Sequence, residues 1–107
     1  MNVTYVRHTN TNNKKIEYLL KNFDFIDGGD YLARLFQEMF GAKIERKEDY
    51  IYFSKIKLYL EDEVYELLWH EDVGNLIYVL EQDEGSSELL EHRLQIVLAE
   101  LNKRIKM

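Results

Sequence analysis

The chain has 107 residues, 46% of them apolar and 32% charged, with neither cysteine nor proline. That length supports one domain, residues 1–107, around one core, and the lack of cysteine excludes disulfides, thiolate metal sites and a cysteine nucleophile. A net charge of −6 opposes binding to nucleic-acid phosphates and favours basic proteins.

The opening stretch, MNVTYVRHTNTNNKK, has no apolar signal core, and no apolar run approaches the length of a membrane span. The expectation is a cytoplasmic protein with neither a membrane nor a nucleic-acid partner. NVTYVRH alternates weakly, as a short first strand would. TNTNNKK is turn-like, and Asn12 or Asn13 is placed to cap a helix. In KKIEYLLKNF, the residues Ile16, Leu19, Leu20 and Phe23 recur at helical spacing. DFIDGGD breaks that pattern, and Asp30 is a candidate cap. YLARLFQEMFG repeats the stripe with Leu32, Leu35, Phe36 and Met39, and Gly41 stands where a helix ends. These two segments predict an N-terminal helix pair.

From Ala42 the period shortens. KIERKEDYIYF predicts a short strand, a charged turn at 47–49 and a new strand from Tyr50. KIKLYLE, VYELLWH and LIYVLEQ alternate as half-buried strands, separated by turns at EDE (61–63) and EDVGN (71–75). Links this short make the strands antiparallel neighbours. From Ser86 onward, Leu90, Leu94, Val97, Leu98, Leu101 and Ile105 form the stripe of a long amphipathic helix, with Ser86 or Ser87 as its cap. The expected fold is therefore α+β in two layers: a helix pair, an antiparallel sheet of three to five strands, and a C-terminal helix packed on the sheet.

Charge is distributed unevenly. Residues 58–92 hold eleven Asp or Glu and no Lys or Arg, while ten of the fourteen basic residues precede them. Such a block repels itself modestly, by about 1 kcal/mol per contact pair in water, which suggests that it serves a partner. WHED, residues 69–72, has the composition of an acid–base or metal site. A strand end running into a turn explains it better, because no companion motif supports catalysis. DGGD, residues 27–30, lacks the lysine of a phosphate loop and reads as a helix-entry turn. No serine sits in a nucleophile-elbow pattern.

Aromatic residues lie in or beside the acidic block, and Tyr and Trp are the usual anchors of protein interfaces. The residues expected to face a partner are Tyr59, Glu61, Asp62, Glu63, Tyr65, Glu66, Trp69, His70, Glu71, Asp72 and Tyr78. The expectation requires their carboxylates to share one exposed patch.

A small, acidic, cysteine-free α+β chain with ELLWHEDVGN and LIYVLEQ strands and a closing amphipathic helix resembles the immunity proteins of bacterial toxin systems, including contact-dependent growth inhibition. The resemblance implies a stoichiometric inhibitor, not an enzyme, that needs no cofactor or metal and occludes a cognate and basic toxin domain, often a nuclease. It also implies a monomer or weak dimer when alone. Three other readings are open: a nucleic-acid-mimicking inhibitor of the anti-CRISPR kind, an adaptor that homodimerises through a strand edge, and a small metal-binding enzyme built on His70.

Overall fold

A computed structural model describes residues 2–83 and 85–105. In chain order the elements are β1 (Thr4–Thr9), β2 (Ile16–Lys21), α1 (Gly28–Phe40), β3 (Lys43–Asp49), β4 (Phe53–Leu60), β5 (Glu63–His70), β6 (Gly74–Val79) and α2 (Ser86–Ile105). All strands pair antiparallel in one sheet of order β1-β2-β6-β5-β4-β3. Both helices cover the same face. The two-layer α+β reading holds, as does the C-terminal helix on the sheet.

Of the expected N-terminal helix pair only the second helix forms, as α1, while residues 16–21 are a strand, and among the described residues the sheet has six strands rather than three to five. Asn10 decides the difference. Its side-chain Oδ1 accepts the amides of Asn12 (2.8 Å) and Asn13 (3.3 Å), and its backbone bonds Lys14 and Lys15 across a tight loop. Lys14 takes a left-handed conformation, φ 63°, which closes the hairpin and sends residues 16–21 back along β1. Ile16, Tyr18 and Leu20 then face the helices, while Glu17 and Leu19 face the other way. The same apolar set that suggests a helix also satisfies a strand, and pairing on both sides settles it.

Two further boundaries move. Residues 47–49 belong to β3, and the turn falls at 50–52, so β4 begins at Phe53 rather than Tyr50. Asp30 lies in the first turn of α1 and bonds Lys47 (3.0 Å); the N-cap position is Asp27. Gly41 ends α1 as expected, with φ 74° and its amide on the Gln37 carbonyl. Ser86 opens α2 but exchanges hydrogen bonds with the Asp83 backbone.

The core lies between sheet and helices. Leu32, Leu35 and Phe36 from α1 and Leu90, Leu94 and Leu101 from α2 meet Tyr18, Leu58, Tyr65, Leu67 and Ile77 from the sheet, all fully buried. α1 starts flush against the sheet because Gly28 has no side chain. A Cβ there would stand 2.6 Å from Asn75 Nδ2 and 2.7 Å from the Phe23 ring. Among the described residues no helix is long and apolar enough to cross a membrane.

Candidate functional site

The residues expected to form one partner-facing patch fall in four places. Glu61 and Asp62 occupy the β4–β5 turn with Glu63 beside it, while Trp69, His70, Glu71 and Asp72 lie at the opposite end of β5. Five strand residues, 64–68, separate Glu63 from Trp69, about 20 Å at 3.4 Å per residue. Tyr59, Glu66 and Tyr78 project from the face that carries no helix. Tyr65 is fully buried in the core, so it is not a surface anchor. The single acidic patch is therefore not formed.

Several acidic residues have local partners. Glu61 meets the Arg93 guanidinium at 3.2 Å, and Glu88 and Glu91 bracket Arg7 at 3.2 and 3.6 Å. On the helix-free face a polar row crosses all six strands in register: His8, Glu17, Tyr78, Glu66, Lys57, Arg46. His8 Nε2 lies 2.8 Å from Glu17 Oε1, and the Tyr78 hydroxyl donates to Glu66. Burial and then that bond hold the Tyr78 hydroxyl well above the usual tyrosine range. Next to Glu66, a small cavity of about 160 Å³ is lined by Arg46, Glu48, Lys55 and Lys57, so this face is basic on its β3–β4 flank. Asp62, Glu63, Glu81 and Asp83 line a second cleft, about 290 Å³, with Val64 and Leu80.

The most unusual surface is where the β2–α1, β3–β4 and β5–β6 loops meet. It exposes Ile51 (86%), Tyr52 (62%), Phe25 (55%) and Ile26 (52%), together with Tyr50 and Val73. The loops are tied to the sheet and to one another. Glu71 donates its amide to the Tyr52 carbonyl (3.0 Å). Trp69 Nε1 donates to the Asp24 carbonyl (2.9 Å). Buried Asn75 donates to the carbonyls of Phe23 (2.8 Å) and Phe25 (2.9 Å). Tyr50 stacks on Phe53 at 4.4 Å between ring centroids, and the Phe23 and Phe25 rings meet edge to face at 4.6 Å.

Carboxylates surround these side chains. Asp24, Asp27, Glu71 and Asp72 form no ion pair among the described residues. The Tyr50 hydroxyl donates to Glu48, which lowers the Glu48 pKa and raises that of Tyr50. His70 Nδ1 accepts the Asp72 amide at 3.0 Å, so WHED is a strand end, Trp69 and His70, running into a turn at Glu71 and Asp72. Among the described residues no group of three histidine or acidic side chains is placed to hold a metal.

Sequence reading placed Trp69, His70, Glu71 and Asp72 in the site but missed Phe25, Ile26, Tyr50, Ile51 and Tyr52. The signal was DYIYF, four consecutive large apolar residues without alternation, next to a charged stretch. Aromatics favour strands, so the run reads as the start of a strand, whereas residues 50–52 form a turn. Compared with known proteins, the chain matches no family model, no curated protein and no solved structure.

Proposed function

We propose that the chain is a stoichiometric inhibitor of the immunity type, and that it binds a basic toxin domain through the three-loop end of its sheet. The observation that carries this reading is the exposure of Phe25, Ile26, Ile51 and Tyr52 on loops pinned by hydrogen bonds. Large apolar side chains exposed together at one end of a sheet cost solubility and mark interaction surfaces. Pinned loops lose little entropy on docking, so they act as preorganised anchors.

The charge complements the anchors. Asp24, Asp27, Glu71 and Asp72 lie on the same loops and form no ion pair among the described residues, and the whole chain carries −6. A partner with an apolar patch inside a ring of lysine and arginine fits this surface. A nuclease cleft has that character, because it must attract phosphate. Opposite fields speed encounter, and buried aromatics slow dissociation. Inhibition then requires occlusion and no chemistry.

The test is co-expression with the product of the adjacent gene. The wild-type chain is expected to co-purify with it at one to one and to restore growth. The Ile51→Asp, Tyr52→Ala double variant is expected to fold and to do neither. Full protection by that variant would overturn the reading.

A further inference from the structure

We infer that two copies of this chain pair through β1, joining their sheets about a two-fold axis at Val6. This inference is independent of the proposed function, since it uses a different surface.

The two sheet edges are built differently. β3 is charged along its length and carries a register shift between Ile44 and Arg46, two devices that discourage edge pairing. β1 has neither. Its register is unbroken over six residues, Arg7 is its only Lys or Arg, and five of its six residues are exposed. The direction of its free edge is fixed by Asn102 on α2. That side chain accepts the Val3 amide at 2.7 Å and donates to the Val3 carbonyl at 3.0 Å, as a neighbouring strand would. Because Val3 bonds away from β2, alternation points the backbone groups of Tyr5, Arg7 and Thr9 the same way. Beside this edge runs a mainly apolar groove of about 310 Å³, lined by residues that include Val3, Tyr5, Leu98 and Ala99.

Symmetry and charge select the occupant and the register. With Val6 opposite Val6 of the second copy, Tyr5 meets Arg7 of the other chain at hydrogen-bonded positions, twice. Pairing Arg7 with Arg7 would oppose like charges. In the Val6-centred register Arg7 instead comes beside Tyr5 of the other copy, whose hydroxyl is bonded to Glu91 at 2.7 Å. That carboxylate already pairs with Arg7 of its own chain at 3.6 Å, so this register keeps the two arginines apart without needing a new ion pair. The apolar row Leu68, Leu76, Leu19, Val6 becomes continuous through both sheets. Asn102 occupies Val3 and stops the pairing there, so the contact is short. It belongs with interfaces below about 1,200 Å², and the dimer is concentration-dependent.

Cysteine substitution tests this directly, because the chain has none of its own. Val6 faces its counterpart at a non-hydrogen-bonded position, where Cα atoms lie about 4.5 Å apart, within disulfide range. Under mild oxidation Val6→Cys is expected to form a linked dimer on the order of a hundredfold faster than Ile51→Cys, because pairing raises the effective thiol concentration. In sedimentation equilibrium the wild-type mass is expected to rise with concentration from 12.9 kDa towards twice that. Val6→Lys, folded by circular dichroism, is expected to stay at the single-chain mass. The inference is overturned if the wild-type chain keeps the single-chain mass at every concentration, if Val6→Lys dimerises equally, or if the two cysteine variants crosslink at the same rate. An Ile51→Asp, Tyr52→Ala variant that still dimerises separates this inference from the proposed function.

Discussion

Asn75 donates both hydrogens of its amide to carbonyls of the β2–α1 loop, at 2.8 and 2.9 Å, from a fully buried position. Replacing it with alanine strands the Phe23 carbonyl, leaves the Phe25 carbonyl with the Gly28 amide as its one donor, and opens a void beside Gly28. The expected loss is about 2–4 kcal/mol, read in denaturant unfolding, since an unsatisfied buried group costs about 1–3 kcal/mol and the void adds to it. The exposed side chains of the β3–β4 loop behave oppositely. Ile51 and Tyr52 touch little, so alanine at either position is expected to leave stability within about 0.5 kcal/mol. The same changes are expected to weaken partner binding by about 2 kcal/mol each, roughly thirtyfold in dissociation constant by titration calorimetry. An equal effect on stability and binding would mean that these side chains serve the fold.

At the level of elements, α2 is held to the sheet by Arg93 as well as by its leucines. Its Nη1 donates to the Tyr65 hydroxyl at 2.8 Å, Nη2 reaches Glu61 at 3.2 Å, and the guanidinium sits 5.9 Å from the Phe40 ring centre. Arg93→Ala leaves the buried Tyr65 hydroxyl unpaired and removes the arginine stem from the core. The expected cost is about 2–4 kcal/mol in thermal or chemical unfolding, and Tyr65→Phe is expected to recover part of it in the double variant. The leucine stripe of α2 and the alternation of β4, β5 and β6 were legible because each carries a single period over many residues. Residues 16–23 were not, since Ile16, Leu19, Leu20 and Phe23 fit a helix, and the hairpin that overrides them depends on one asparagine side chain and a left-handed lysine. The site was legible in its charge and only partly in its geometry. Glu61 and Glu71 look adjacent in composition but lie at opposite ends of β5, and no local pattern records that separation.

For the whole molecule, one sheet has a helix-covered face, a free face, a loop end rich in exposed apolar side chains and an opposite acidic cleft. Burial raises the Tyr18 pKa from 10 to about 12 in the folded chain. A group whose pKa is raised by folding stabilises the fold below its unfolded value and loses that contribution as pH rises through the folded one. Stability is therefore expected to fall between pH 10 and about pH 12, with cooperative unfolding and a step in tyrosinate absorbance; smooth titration without unfolding would argue against a sealed core. Electrostatic steering makes a complementary prediction. Reversing Glu71 and Asp72 to lysine is expected to slow association with a basic partner, most strongly at low salt. The most direct measurement of the central claim compares the two ends of the sheet in binding to the adjacent gene product. Ile51→Asp with Tyr52→Ala is expected to abolish binding, while Asp62→Lys with Glu63→Lys leaves most of it. Retained binding in the first variant, or loss confined to the second, would contradict a loop-end interface.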